Sequence, residues 1–231
     1  MGVDLPLQPN SSTLSLACED DSEQPLVIIV DDDASVREAL SELIESVGFR
    51  AAGFASTQEL LVAGVLDRLG CLILDVRMPG ASGLDLQDHL AQSGNLKPII
   101  FLTGHGDIPM TVQAMKAGAI DFLTKPVRDQ TLLDAVMTGI KRDVAQRANA
   151  SIIKRNVTLL ETLTQRECQV LSEVARGRIN KQIAFDLGIS EATVKLHRAN
   201  VLKKMQAASI GELIRIWESL PISMRKAHVA A

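Results

Sequence analysis

The chain has 231 residues, 46% of them apolar, and a formal net charge of −4. That length and apolar content support one or two domains with real cores. The charge is unevenly placed. Up to about residue 150 there are 11 Lys and Arg against 21 Asp and Glu, and beyond it 13 against 7, so a half at −10 precedes a half at +6. An acidic half joined to a basic half points to a sensor or catalytic module carrying a nucleic-acid reader, although unlike halves also simply attract each other. Cys18, Cys71 and Cys168 are odd in number and lack any C-x-x-C spacing, which argues against a disulfide framework or zinc site and fits a reducing cytosol. No segment approaches the length of a membrane span.

In chain order, residues 1–25 lack a basic start and a long apolar stretch, so they do not read as a signal peptide. Rich in Pro, Ser, Asn and acidic residues, they predict a disordered extension in which Cys18 has no structural role. "LVIIV" (26–30) is a short buried strand. After it, Val36, Ala39, Leu40, Leu43, Ile44 and Val47 recur as one helical face that stops at Gly48. "FRAAGFA" (49–55) predicts a weaker strand and residues 57–69 a helix. "CLILD" (71–75) predicts a buried strand ending in a carboxylate, with a helix over 83–93. "PIIFLT" (98–103) precedes a short helix over 109–118, and "AIDFLTK" (119–125) leads into a long one from about Asp129. Five strands alternating with five helices imply an α/β fold, a doubly wound parallel sheet covered on both faces.

In such open sheets, chemistry sits outside the carboxyl ends of the strands. Asp31 and Asp32 end the first strand, Asp75 the third, Thr103 the fourth and Lys125 the fifth. Three aspartates in a row repel, so a positive partner is expected. A hard divalent cation such as Mg²⁺ prefers these oxygen ligands, and with Lys125 and the Thr103 hydroxyl it could offset charge on a phosphoryl group in transfer. Each residue has a plainer explanation when taken alone. Asp31 and Asp33 are common turn or N-cap residues, Thr103 an ordinary strand-end hydroxyl, Phe122 a core residue. His105 is a solvated loop side chain, and His89 and His228 carry less signal still.

The motifs "IVDDD", "LILDVRMPG", "FLTGHGD" and "DFLTKP", in this order over about Leu26 to Arg147, resemble the receiver domain of two-component response regulators. The resemblance implies that Asp75 accepts a phosphoryl group from a histidine kinase. It implies that Asp32, Asp75 and the backbone carbonyl of Arg77 hold Mg²⁺, with Asp31 acting mainly through water. It also implies that Thr103 and Phe122 form a switch pair, that Lys125 binds the phosphoryl group, and that Lys125-Pro126 is a candidate cis peptide. It gives Asp33 no role. "VIIVDDDAS" also fits the start of haloacid-dehalogenase-like phosphatases, with Asp31 as nucleophile and Asp33 as acid/base. That alternative leaves Asp75 unexplained and lacks the later acidic pair which binds that family's Mg²⁺.

In the basic half, the charged stretch from Lys141 to about Glu161 extends the last receiver helix into a linker. A helix from Thr164 to about Arg176 opens on a capping box, Thr164 with Glu167, and ends at Gly177. A second spans about Asn180 to Leu187 and stops at Gly188. A third, capped by Ser190, runs to about Met205. Helix, tight glycine turn and helix make a helix-turn-helix. Val194, Val201, Leu202 and Met205 can pack inward, leaving Lys195, His197, Arg198, Lys203 and Lys204 available to DNA. "LTQRE", "NKQIAFDLGIS" and "TVKLHRANVLKKM" resemble the LuxR/NarL-type domain through about Leu220. The resemblance places Lys195 and Leu196 at base edges, with Ala199 where many relatives carry a longer polar group, and makes Thr193, Lys181 and Lys203 phosphate contacts. Ile179 departs from the small or Pro residue usual before "NK". A basic solvated helix is the plainer alternative.

The pairing resembles the FixJ/NarL class of transcriptional regulators, on the FixJ side. It implies a small all-α helix-turn-helix domain after the receiver, with expected bounds of 1–25 for the extension, 26–147 for the receiver, 148–160 for the linker, 161–222 for the DNA-binding domain and 223–231 for a tail. It also implies a cytoplasmic protein with no membrane contact. Its partners would be a sensor histidine kinase, double-stranded operator DNA, RNA polymerase and, on phosphorylation, a second copy. Besides the phosphatase, the remaining alternative is a receiver that acts only through protein contacts.

Overall fold

The computed structural model describes residues 24–104 and 106–227; the expectations for the extension and Cys18, and for His105 and His228, fall outside the described residues. The chain divides into two compact units, residues 1–144 and 145–231. In the first unit, β1 (Leu26–Val30), β2 (Arg50–Phe54), β3 (Gly70–Leu74), β4 (Ile99–Thr103) and β5 (Asp121–Thr124) form one all-parallel sheet in the order β2-β1-β3-β4-β5. Because side chains alternate across a strand, each run of apolar residues feeds two cores. Leu26, Ile28, Val30, Leu72, Leu74, Ile99 and Phe101 face α2 (Thr57–Ala63), α3 (Gly83–Gln92) and α4 (Ile108–Lys116). Val27, Ile29, Cys71, Ile73, Ile100 and Leu102 face α1 (Ala34–Ser46) and the first half of α5 (Asp129–Glu161), through Leu40, Ile44, Leu132, Val136 and Ile140.

Two expectations need correction. The helix read over 57–69 ends at Ala63, because Gly64 takes the left-handed conformation at φ 64° and closes it. The apolar face of α1 is narrower than its periodicity implies: Leu40 and Ile44 are buried, whereas Ala39 and Val47 are exposed. The weaker strand β2 is an edge strand, only partly buried.

Within the second unit, the end of α5 joins α6 (Gln165–Ala175), α7 (Asn180–Leu187), α8 (Glu191–Lys204), α9 (Ile210–Ser219) and α10 (Ile222–Ala227). The capping box of Thr164 and Glu167 is formed, and Ser190 caps α8 by accepting the Thr193 N–H. Ile179 offers α7 no side-chain cap; instead Gln182 reaches back to accept the Ile179 N–H at 3.1 Å. One core gathers Leu160, Val170, Leu171, Val174, Ile183, Val194, Val201, Met205, Leu213 and Trp217. Helix α9, which supplies Leu213 and Trp217, was not read from the sequence as a separate helix, and α10 occupies part of the stretch expected as a tail.

Candidate functional site

Strand register assembles the rim. Val30 lies opposite Leu74, so Asp31 and Asp75 leave neighbouring strands at the same level, and Asp75 N–H donates to the Val30 carbonyl at 2.9 Å. Thr103 pairs with Thr124, which sets Lys125 beside them, its N–H donating to the Thr103 carbonyl at 2.9 Å. One carboxylate oxygen each from Asp31, Asp32 and Asp75 lies within 4.8 Å of the others. Asp31 and Asp75 are 3% and 8% exposed, while Asp32 is exposed. Lys125 ion-pairs with Asp31 Oδ2 and stands 3.8 Å from Asp75 Oδ2.

Several backbone groups fix these carboxylates. Asp31 Oδ1 accepts the Asp33 N–H at 3.0 Å, and Asp75 Oδ1 accepts the Val76 N–H at 2.8 Å. Arg37, unnoticed in the sequence, donates to the Asp31 carbonyl at 2.7 Å. Asp33 is the N-cap of α1, its side chain accepting the Ser35 N–H at 2.9 Å, so it serves the helix. Gly83 lets α3 start against the rim: a Cβ there would sit 2.2 Å from the Asp75 carbonyl oxygen. Thr103 is buried at the end of β4. Phe122 is half-buried on β5, its ring centroid 5.8 Å from that of Phe101. A Cβ on Gly106 would stand 2.8 Å from the Phe122 ring edge, so this glycine makes room for the ring. Arg77 is exposed two residues beyond Asp75, His89 is exposed on α3, and the Lys125-Pro126 peptide is cis. Mg²⁺ suits this donor set: hard carboxylate oxygens, converging and partly exposed, with the Lys125 ammonium beside them.

The second candidate surface is on α8. Lys195, Leu196, Ala199 and Lys203 are exposed, as is Lys181 on α7. Thr193 is half-buried, its hydroxyl 2.8 Å from that of Ser190. Arg198 is half-buried and donates to Asn180 Oδ1 at 2.8 Å, so it is tied to the start of α7. His197 keeps Nδ1 buried with no hydrogen-bond partner. Lys204 corrects the sequence reading: it is turned inward, donating to Glu167 at 2.7 Å and to the Thr162 carbonyl at 3.2 Å. Beside α8, Arg178, Asn180, Lys181, Glu191 and Arg198 line an open groove with an apolar floor of Val174, Ile210 and Ile214. Arg178, absent from the sequence reading, also pairs with Asp186 at 3.5 Å.

Residues 27–137 match the response regulator receiver domain, and residues 161–217 match the bacterial regulatory proteins of the luxR family. Nodulation protein W of Bradyrhizobium diazoefficiens is 50% identical over 87% of this chain and 89% of its own. FixJ of Azorhizobium caulinodans is 46% identical over 82% of this chain and 90% of its own. This chain belongs to the FixJ/NarL family of response regulators. The response regulator StyR has a solved structure that aligns with a TM-score of 0.72 and 46% identity, over 84% of this chain and 98% of that one. Full-length FixJ from B. japonicum aligns at 0.52 and 36%, over 84% and 96%. The family is one of two-component transcriptional regulators that bind DNA through a helix-turn-helix, so the phosphatase alternative is set aside. Among the described residues, no helix is long and apolar enough to cross a membrane.

Proposed function

We propose that this regulator is switched by phosphorylation of Asp75 and then binds operator DNA as a dimer. The observation that carries the reading is the position of Asp75. It ends the central strand, with Asp31 and Asp32 within metal-sharing distance and the Lys125 ammonium 3.8 Å away. In transfer, a carboxylate oxygen of Asp75 forms the new P–O bond as the P–N bond to a kinase histidine breaks and the imidazole keeps the electron pair. Asp31, Asp32, Asp75 and the Arg77 carbonyl would hold Mg²⁺, which supplies charge neutralisation at the phosphoryl oxygens. Lys125 neutralises a further oxygen, and its ion pair with Asp31 holds it at the rim.

In this reading the Thr103 hydroxyl turns to the phosphoryl group, and Phe122 follows into the space left behind. The adjoining face is apolar: Ile108, Val112 and Met115 of α4 are 80%, 45% and 43% exposed, beside β5. That composition suits self-association once the switch reshapes it. On DNA, Lys195, Leu196 and Ala199 meet base edges, while Lys181, Thr193 and Lys203 meet phosphates, so two copies place their α8 helices about one turn of duplex apart. The bound dimer acts on RNA polymerase, in the cytoplasm where its operators lie. Acetyl phosphate with Mg²⁺, followed by selection from random duplexes, tests the reading. Phosphate should map to Asp75, and binding to a two-half-site operator should rise far more than to a single half-site. Phosphate on Asp31 or Asp33, or equal enhancement on both duplexes, overturns it.

A further inference from the structure

Lys204 is the last residue of α8, and its ammonium is committed to Glu167 at 2.7 Å and the Thr162 carbonyl at 3.2 Å. Glu167 is 3% exposed and its Oε2 also accepts the Thr164 N–H at 2.8 Å, so it cannot follow a moving lysine. A second tie lies next to it. Arg155 of α5 donates to the side-chain oxygen of Gln206, which follows α8 with φ at 52°. Leu160, fully buried, shares a core with Val194 and Val201 of α8. Arg155 and Leu160 precede residue 161, where the match to the luxR family begins. The end of α8 is therefore gripped by the last turns of α5 and the start of α6, while Ser190 caps its other end.

We propose that Lys204 is a positioning residue for operator recognition. With Glu167, Thr162 and the Arg155 tie, it fixes the end of α8 and so the angle at which Lys195, Leu196 and Ala199 are presented. The proposal rests on the reading of α8 as the helix that meets base edges. Breaking the tie leaves a buried carboxylate without its partner, and a loosened helix end spoils base contacts that demand close geometry. Contacts to phosphate tolerate such tilting better.

The test uses the full chain as wild type, Lys204→Met, Lys204→Arg, Arg155→Ala and, for comparison, Lys203→Ala. Equilibrium binding is measured on preferred and scrambled duplexes across a salt series, and amide hydrogen exchange is followed over residues 201–206. Lys204→Met should lower the ratio of specific to non-specific affinity about tenfold with an unchanged salt slope. Its exchange at 203–206 should quicken about tenfold, Lys204→Arg should restore most of both, and Arg155→Ala should shift both in the same direction by less. Equal loss on both duplexes with a salt slope reduced by about one would make Lys204 a phosphate contact and overturn the proposal. So would a lower melting temperature with an unchanged affinity ratio, or unchanged exchange. If the wild type prefers no duplex, the DNA reading falls and exchange alone decides the clamp. If Lys204→Met does not fold, Lys204→Arg and Arg155→Ala decide it.

Discussion

The rim of the sheet and the surface of α8 place charged side chains by different means. At the rim, position is inherited from the backbone: Asp31, Asp75, Thr103 and Lys125 follow strand residues whose pairing is set by ladder hydrogen bonds, so they converge whatever their side chains do. On α8 the backbone offers three lysines and one arginine round a cylinder, and what lies beneath decides which of them reach solvent. Lys203 is exposed and Lys204, its neighbour, is spent on Glu167. A strand end is thus a reliable address for a functional group, whereas a basic helix overstates the number of cations free to act.

The strongest way to break this comparison is at the rim. Asp75→Asn should abolish stable phosphorylation by acetyl phosphate, read as loss of the phosphorylated species by mass spectrometry, while Asp33→Asn, which touches only the N-cap, should remain phosphorylatable. A phosphorylated Asp75→Asn protein would show that register does not select the acceptor. Next in size, Gly83→Ala forces a Cβ against the Asp75 carbonyl oxygen and should cost about 3 kcal/mol of stability in denaturant unfolding. An unaffected midpoint would mean that the rim backbone yields easily.

On the helix side, Lys195→Ala should lose about 1 to 3 kcal/mol at the preferred site and much less on scrambled duplex. Equal losses on both would move Lys195 among the phosphate contacts. A smaller change is expected from Lys203→Ala, which should weaken all sequences alike and lower the salt slope by about one. The smallest effect sharpens the account of Glu167. Burial raises its pKa, but the Lys204 ammonium, the Thr164 N–H and the Thr164 hydroxyl outweigh burial and leave it below the ordinary 4.5. A carboxylate depressed in this way stabilises the fold above its unfolded pKa and loses that contribution as pH falls through its folded value. Fluorescence of Trp217, the sole tryptophan, should report acid weakening of the second unit beginning below about pH 4.5, and Glu167→Gln should flatten that profile.

What the sequence disclosed follows the same division. The strands, the alternation of elements and the rim residues were legible because short apolar runs end in chemically distinctive side chains. Thr164 with Glu167, Ser190, Gly177 and Gly188 announced the helix ends for local reasons, as caps and left-handed turns. The misses are long-range. Lys204 and Arg198 looked free because Glu167 and Asn180, which hold them, lie 37 and 18 residues away. Arg37 and Gly106 escaped notice because their roles, holding the Asp31 carbonyl and making room for Phe122, exist only in the folded chain. The early end of α2 is local: Gly64 closes the helix in the left-handed conformation although apolar residues continue beyond it.

Burial of the Cys71 face carries a consequence for synthesis. Gly70 at the start of β3 donates its N–H to Asp143 at 2.8 Å, across 73 residues, and burial pushes the neighbouring Cys71 thiol up to about 12. Leu132, Val136 and Ile140 of α5 complete the core on that side. A chain emerging from the ribosome can pair all five strands, with α1 on one side of that face, once residue 124 has left the exit tunnel, yet the rest of the face stays uncovered until residue 143 follows. The first unit therefore closes only as the helix that begins the second is being made, and until then α1 alone covers that face and the Cys71 thiol lies open where α5 will pack.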